Sequence, residues 1–399
     1  MDSSAASIPS WLLRHLQQAG EAVPFSHYMD WVLNDPEGGY YGSGAAVIGP
    51  GGDFATSPSL GDDFGALLAT QLADWLGTLR ASGGTLSVVD VGPGEADLSV
   101  ALAEALPALC AGFADRLELV LVEHNPGMQR RQQARLAGCT TLPVRWSSWE
   151  ELQRHPVQGV LLAHELLDAL PVDRLIWHEQ QLRLQTVALN ADMRLQLDSV
   201  ELPDALRSAI ASWTAETGCA MPPPGAADGW TSEWHSALPA WMAQASDALS
   251  TGWLLVIDYA LEAARYYTPR RSEGTLITYR QQRAGADPLT HPGQLDITAH
   301  LCIESVIAAA VAGGWSALDQ RRQGEALLAL GLAQRLHALQ ALPPTQLSDA
   351  LQRREALLRL VDPMALGDFR WLLFGRGVGS RFSDPDTPDT PDTAGSALG

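Results

Sequence analysis

The sequence predicts an α/β fold built around a parallel sheet, and three observations predict it. From residue 85 onward, short apolar runs of β-forming residues alternate with helical patterns. The first run ends in Gly-Pro-Gly and passes directly into a helix, as in open sheets that bind a ligand beyond the strand ends. A longer apolar run returns near residue 252. In chain order the predicted elements are LSVVDVG, a helix over 96–110, LELVLVE, a helix over 126–137, GVLLAHE and GWLLVIDYA.

Shifts in composition divide the chain into five segments. Residues 1–84 indicate a helical cap with a long glycine-rich loop, EGGYYGSGAAVIGPGGDFATSPS, which we expect to close over a bound ligand. Residues 85–171 and 251–382 are expected to form the two halves of the α/β core. Between them, residues 172–250 combine alternating strands with a Pro/Gly-rich piece, which predicts an insertion on the substrate side. The tail, 383–399, has the Asp-Pro-Thr composition of a disordered segment.

The basic residues of the chain restrict its chemistry. All 26 of them are arginine, because the sequence contains no lysine. This absence excludes a phosphate-binding loop lysine, a Schiff base to pyridoxal phosphate and a kinase lysine.

Charge and hydropathy limit the partners and the compartment. The formal net charge of −20 would repel nucleic acid and favours a basic protein partner. The one notable cluster of basic residues consists of the arginines at 270, 271, 280 and 283. No window approaches the ~18 consecutive apolar residues of a membrane helix, and no signal or transit pattern is recognised. We therefore expect a cytoplasmic protein without membrane contact, or a mature form whose targeting segment has been removed. The four cysteines are far apart and predict neither disulfides nor a zinc site, and no other spacing predicts a metal.

The glycine turn predicts a nucleoside cofactor. A dinucleotide would require G-x-G-x-x-G/A, but Asp97 stands at the third position, and Glu95 with Asp97 would oppose a pyrophosphate. S-adenosylmethionine carries no phosphate and has a cationic sulfonium, so acidic groups are tolerated there. Its ribose needs an acceptor at the end of the next strand, where LVLVE ends in a glutamate. The alternative is that Gly-Pro-Gly forms a tight turn without a ligand and that the glutamate is a solvent-exposed residue at the end of a strand. The candidate cofactor residues are Asp90, Gly92, Gly94 and Glu123.

Several separated motifs resemble the MidA family of S-adenosylmethionine-dependent methyltransferases. The resemblance runs from about residue 25 to residue 372 and is more selective than the glycine turn alone. The motifs are HYMDWVLNDPEGGYY, GGDFATSP, VDVGPGEADL, VEHNPGMQRRQ, AHELLDALPV, LLVIDYA, GTLITYR and DPLTHPGQLDITAH.

The resemblance implies a Rossmann-like class I methyltransferase sheet with a helical N-terminal cap and an insertion after strand four. It also implies that the cap loop, with Gly52 and Asp53, lies over S-adenosylmethionine as the cofactor. On the sequence alone, Asp53 could equally be the aspartate of a local turn.

The methyl acceptor is expected beyond strands four and five, where Glu165, Asp168 and Asp258 are the candidate catalytic residues. Two carboxylates there could orient a guanidinium, which has five donors and a permanent charge. The resemblance therefore implies transfer to an accessible arginine of a protein substrate. The alternatives are a helix cap at Asp168, a structural Glu165 and a strand-closing Asp258. Tyr259 ends strand five at the same rim, and the resemblance implies that Gln294, Asp296, Thr298 and His300 lie near the active face.

Three departures from the family pattern keep other functions open. Ala96 replaces the last glycine of Gly-Pro-Gly-x-Gly, Ser59 replaces a glutamate of the cap loop, and His164 replaces an asparagine before Glu165. One alternative is therefore a catalytically degenerate methyltransferase fold that acts as an assembly or scaffold protein. An NAD(P)-dependent oxidoreductase is a weaker alternative, because a chain without lysine cannot form a Tyr-x-x-x-Lys pair.

Overall fold

The computed structural model describes residues 8–20, 22–44, 46, 49, 56–139, 141–379 and 382. In this part of the chain the helices are α1 Ser10–Ala19, α2 Phe25–Asn34, α3 Asp62–Leu79, α4 Asp97–Leu109, α5 Pro126–Leu136, α6 Trp149–Arg154, α7 Asp204–Thr217, α8 Leu238–Ala248, α9 Ala263–Tyr266, α10 Ile303–Ala312, α11 Gln323–Ala329, α12 Leu332–Leu339 and α13 Leu347–Val361. The strands are β1 Ala22–Pro24, β2 Leu86–Val91, β3 Leu117–Val122, β4 Val144–Ser147, β5 Val157–His164, β6 Asp173–His178, β7 Gln181–Leu189, β8 Leu195–Glu201, β9 Thr231–Trp234, β10 Leu249–Asp258, β11 Ala260–Leu261, β12 Ile277–Arg280, β13 Arg283–Gly285, β14 Asp296–Thr298, β15 Leu301–Cys302, β16 Ser316–Arg322 and β17 Arg370–Arg376.

A seven-stranded sheet forms the core, with the strand order β16-β17-β10-β5-β2-β3-β4. Neighbouring strands from β4 to β10 are parallel, whereas β17 is antiparallel to both β10 and β16. The sequence predicted β2, β3, β5 and β10 but missed both edge strands, which are β16 and the short β4 with Arg145 and Ser147. The carboxyl ends of the parallel strands lie along one edge, which is where such sheets bind ligands.

Both faces of the sheet are covered, which explains the continuous apolar runs in the sequence. All six residues of β2 are buried. Alternate side chains of β2 point to opposite faces of the sheet and belong to separate cores. Val88 belongs to the core with α3, α4 and the C-terminal helices, whereas Val89 belongs to the core with α6, α8 and α10. The close approach of α3 to α4 requires Gly65, since a Cβ there would lie 2.4 Å from the Cβ of Ala101.

The segment between β5 and β10 forms most of a second, antiparallel sheet. Strands β6, β7, β8 and β9 belong to it, and β1 from the N-terminal region completes its five strands. Helices α1 and α2 pack beside this sheet through a core that includes Phe25 and Val187. A small third sheet consists of β12, β13 and β14. It lies next to the carboxyl edge of the main sheet, since the N–H of Ala299, directly after β14, donates to the Asp168 carbonyl oxygen at 2.9 Å.

Some of the residues singled out in the sequence lie outside the described ranges. Gly52, Asp53 and the tail 383–399 are among them. Of the helices that the structure describes, none combines the length and apolar character needed to cross a membrane.

Candidate active site

The glycine turn lies between β2 and α4 and adopts the left-handed conformation at three positions. The φ angles are +64° at Gly92, +53° at Gly94 and +65° at Ala96. A Cβ at Gly92 would also lie 2.7 Å from Cδ1 of Leu166, so two independent constraints require glycine there. Alanine at position 96 is accommodated in a conformation that costs an L-residue about 1–2 kcal/mol.

Asp90 connects the end of β2 to the first turn of α4. Its buried carboxyl group accepts a 2.6 Å hydrogen bond from the Ser99 hydroxyl. Burial raises the pKa of Asp90 to about 6, although the Ser99 hydrogen bond acts in the opposite direction. The residue therefore holds the glycine turn against its helix.

Glu123 follows β3, and its carboxylate is fixed by two donors. The backbone N–H of Asn125 donates to Oε1 at 2.8 Å, and Nε2 of Gln132 donates to Oε2 at 3.0 Å. Each oxygen retains a lone pair, so the carboxylate can still accept the two hydroxyl groups of a ribose.

Gln132, on α5, joins the two halves of this site. Its amide Nε2 also donates to the carbonyl oxygen of Gly94 at 2.9 Å, and its Oε1 accepts from Trp146 Nε1 at 2.9 Å. The side chain is fully buried. Sequence reasoning missed Gln132, because nothing within the polar run QRRQQAR distinguishes the one glutamine that faces inward.

The two acidic residues of the turn are paired with arginines of α5. Arg131 lies 3.1 Å from Glu95, and Arg135 pairs with Asp97. Their charges are therefore partly balanced within the protein, which weakens the sequence argument that they alone would repel a pyrophosphate. Arg131 also donates to the carbonyl oxygens of Gly44 and Ala46, so the cap loop is attached to the same helix.

A cavity of about 680 Å³, the cofactor cavity, lies against these groups. Its lining includes all four described residues that the sequence predicted for the cofactor, Asp90, Gly92, Gly94 and Glu123. His124 also lines the cavity, although the sequence gave no reason to separate it from surface histidines. At one side Trp149 and Trp241 meet edge to face, with ring centroids 5.9 Å apart. An apolar wall beside a diol acceptor suits a nucleoside, so the residues fit S-adenosylmethionine.

A second cavity of about 510 Å³, the acceptor cavity, adjoins the first. Tyr41 and Glu165 line both cavities, so they mark the junction. The lining of the acceptor cavity combines carboxyl groups with aromatic rings: Tyr41, Glu165, Asp168, Tyr259, Tyr279, Asp296 and His300. Thr298 lines it as well, whereas Gln294 accepts a hydrogen bond from Arg280 instead.

Glu165 occupies a strained position at the junction. Its φ angle is +47°, in the left-handed region, and Oε1 accepts a hydrogen bond from the Ser57 N–H at 3.1 Å. Burial raises its pKa to about 8, and the charges of Asp258 and Asp296 add to the effect. The neighbouring His164 Nε2 lies 3.5 Å away, but burial lowers the pKa of His164 to about 3, so this contact is not an ion pair.

Asp168 is a second carboxyl group in the lining of the acceptor cavity. Among the described residues, its Oδ1 has no hydrogen-bond partner although the atom is buried. Burial, together with the charges of Asp258, Asp296 and Glu165, raises its pKa well above the usual range. A buried carboxyl oxygen without a partner is costly unless a ligand satisfies it.

Asp258 does not line either cavity in the part of the chain that the structure describes. Its carboxylate accepts backbone N–H groups from Leu167 at 3.0 Å, Asp168 at 3.2 Å and Tyr259 at 2.8 Å. The geometry gives it a positioning role in the turn that carries Asp168, which differs from the direct catalytic role expected from the sequence. Burial raises the pKa of Asp258 to about 7.

Tyr41 and Asp296 close the junction from the cap side. The Tyr41 hydroxyl donates to Oδ1 of Asp296 at 2.8 Å. The two residues are 255 positions apart in the chain, so their contact depends on the docking of the cap on the third sheet. The sequence named Asp296 within a motif but did not identify Tyr41 as a site residue.

The sheet order, the glycine turn and the ribose acceptor together define a nucleoside-dependent α/β enzyme. A family model described as "Putative S-adenosyl-L-methionine-dependent methyltransferase" matches residues 67–320, more than half of the chain. The chain belongs to this family of putative S-adenosylmethionine-dependent methyltransferases.

Two kinds of relative agree with this assignment. A superfamily member from Burkholderia thailandensis, crystallised with S-adenosyl-homocysteine, has 28% sequence identity and a TM-score of 0.80, over 94% of this chain and 92% of that chain. The zebrafish "Protein arginine methyltransferase NDUFAF7, mitochondrial" is 30% identical over 195 residues, which are 43% of this chain and 45% of that protein. A Xenopus laevis protein of the same name is 27% identical over 236 residues, which are 53% of this chain and 50% of that protein. The chain thus spans about half the length of the curated relatives it matches.

Proposed function

We propose that the protein transfers a methyl group from S-adenosylmethionine to a guanidinium nitrogen of an arginine in a protein substrate. One observation carries the proposal: the acceptor cavity, which meets the cofactor cavity at Glu165, contains three carboxyl side chains that are buried. These groups are Glu165, Asp168 and Asp296. Relatives that carry the name protein arginine methyltransferase give further support.

A guanidinium matches this cavity in charge and in shape. Of the described residues in the lining, Arg359 is exposed, and burial lowers the pKa of His300 to about 4, so neither supplies a buried cation. A planar cation with five donors can satisfy Glu165 and Asp168 together and stack on tyrosine rings. Its arrival favours the ionised carboxyl groups, which release protons as it binds.

The cofactor, when bound, would supply a methyl group attached to a cationic sulfur. The sulfur is the leaving group and keeps the electron pair of the broken carbon–sulfur bond. Glu165 then has two tasks at the junction. Its carboxylate holds one guanidinium nitrogen toward the cofactor cavity and accepts the proton that this nitrogen loses as the nitrogen–carbon bond forms. Alignment of the guanidinium nitrogen with the methyl group is the main contribution to the rate of transfer. The turn that Asp258 holds through backbone hydrogen bonds maintains this alignment.

The departures from the family pattern leave this geometry intact. Ser59 Oγ accepts from the Thr56 N–H at 2.9 Å and donates to the Thr56 carbonyl oxygen at 2.8 Å, which forms a local turn. His164 is buried and neutral beside Glu165. These contacts favour an active enzyme over a scaffold protein, although only an activity measurement distinguishes the two.

Glu165→Gln tests the proposal because it keeps the side-chain shape and the acceptor for the Ser57 N–H. We expect binding of S-adenosylhomocysteine within a few-fold of the parent, and methyl transfer at least ~100-fold slower, as when a positioned group is lost from an active site. Glu104→Gln, an exposed change on α4, is the matched control and should transfer at the parental rate. Undiminished transfer by Glu165→Gln would reject the mechanism. A parent that binds the cofactor but labels no protein of its source cells would favour the scaffold alternative.

A further inference from the structure

The entrance of the acceptor cavity is basic, although its floor is acidic and the chain carries a net charge of −20. Two segments with exposed arginines flank this entrance: the hairpin of β12 and β13, and the C-terminal end of α13. Both contribute residues to the lining, namely Gln282 from the hairpin and Arg359 from the helix.

The hairpin places two like charges opposite each other. Arg280 and Arg283 are direct cross-strand partners, joined by a turn in which Gln281 and Gln282 have φ angles of +50° and +60°. Like charges in such a pair destabilise a hairpin. Arg280 donates to Oε1 of Gln294 at 3.3 Å, a neutral partner that leaves its charge uncompensated.

The helix side contributes one further arginine. Arg359 is exposed and lines the cavity next to Met364, which is 92% exposed. Within the described residues, neither Arg283 nor Arg359 pairs with a carboxylate, whereas Arg335 and Arg353 both pair with Asp63. Among the described residues, Arg280, Arg283 and Arg359 thus carry charges that no carboxylate pairs with, and they lie on the two segments that contribute to this lining.

This entrance constrains the residues around the target arginine. A segment rich in basic residues would be attracted at long range but repelled by the entrance at close range. A segment that places Asp or Glu beside the target arginine would pair with the entrance while its guanidinium enters the acidic floor. Nucleic acid fits less well, since phosphates would meet the carboxyl groups of the floor.

We propose that Arg280, Arg283 and Arg359 select protein substrates in which carboxylate side chains flank the methylated arginine. This inference rests on the proposed function, because it assigns neighbours to the same acceptor. At the acceptor cavity, this preference for acidic neighbours is opposite to the preference for basic partners that the net charge of the whole chain predicts.

Two fluorescent peptides with one central arginine test the inference, one with Asp and Glu flanks and one with lysine flanks. Binding to the protein saturated with S-adenosylhomocysteine is followed by fluorescence anisotropy. The parent should bind the acidic-flanked peptide about tenfold more tightly, as expected from two or three exposed ion pairs. The preference should shrink near 1 M salt, where the Debye length is only about 3 Å. Arg283→Glu with Arg359→Glu should abolish or reverse it.

The double variant Arg194→Glu with Arg354→Glu is the matched control, because both residues are exposed, carry the same charge change and do not line the cavity. It should keep the parental preference. Arginine-dependent binding that favours the lysine-flanked peptide, or no binding of either peptide at about 1 mM, would overturn the inference. Binding that is unchanged when the peptide arginine is replaced by glutamine would overturn the proposed function itself. A single-stranded oligonucleotide that displaces the peptide would indicate a nucleic-acid site and also overturn the inference.

Discussion

At the scale of single residues, the site depends on side chains and backbone angles that are unfavourable in isolation. Gly92 has a left-handed backbone and no room for a Cβ, and Glu165 adopts φ +47° with a buried side chain. Such strain and burial persist only where the surrounding structure imposes them, and they are typical of functional sites.

Gly92→Ala should destabilise the protein and weaken S-adenosylhomocysteine binding. The new Cβ would displace Leu166, the residue after Glu165, and the left-handed angle alone costs about 1–2 kcal/mol. Gly77→Ala is the control within α3, where a Cβ meets open space, and it should raise the free energy of unfolding by about 0.5–1 kcal/mol. Urea unfolding and calorimetry measure both quantities. Equal stability of Gly92→Ala and the parent would contradict the geometry of the turn.

The raised pKa of Glu165 makes stability depend on pH. Between its ordinary value of 4.5 and about 8, the folded protein retains a proton that the unfolded chain has lost. Stability from this group is therefore fully present below pH 4.5 and is lost as pH rises toward 8. Glu165→Gln cannot ionise. The melting temperature of the variant minus that of the parent should therefore increase between about pH 5 and about pH 8. A difference that stays constant with pH would show that the Glu165 carboxyl group ionises over the same range in the folded and the unfolded chain.

At the scale of elements, α5 organises the cofactor site. Its N-terminal cap Asn125 holds the start of the helix, Gln132 connects the glycine turn to Glu123, and Arg131 reaches the cap loop. A single helix thus fixes the turn, the ribose acceptor and the segment over them.

Gln132→Leu should weaken S-adenosylhomocysteine binding about tenfold or more while the fold is retained. Leucine fills the buried space but removes the donors to Gly94 and Glu123 and leaves Trp146 Nε1 without its acceptor. Gln133→Leu changes the exposed neighbour on the same helix and should bind like the parent. Isothermal calorimetry compares the two. Parental affinity of Gln132→Leu would contradict the role assigned to the helix.

At the scale of the whole molecule, the cofactor and acceptor cavities meet where three parts of the chain converge. The sheet supplies Glu165 and Asp168, the N-terminal cap supplies Tyr41, and the third sheet supplies Asp296. The acceptor cavity therefore exists only in the assembled fold.

The sequence predicted the parts of this arrangement that depend on local pattern. The long apolar strands, the glycine turn and Glu123 could be identified, because strand length, glycine spacing and position after a strand are visible in the chain. Strand β4 was missed because an edge strand is short and half polar. Gln132, Tyr41 and the positioning role of Asp258 were missed because each depends on a partner brought close only by tertiary packing.

In the proposed reaction, the acceptor cavity presents an arginine to the cofactor. Mass spectrometry tests this by comparing source-cell proteins labelled by the parent and by Glu165→Gln with isotopically marked S-adenosylmethionine. We expect label on arginine guanidinium nitrogens with the parent and at least ~100-fold less with the variant, although the variant still binds the cofactor. Label on histidine, on lysine or on a small molecule, or equal arginine label from both proteins, would contradict the proposed reaction.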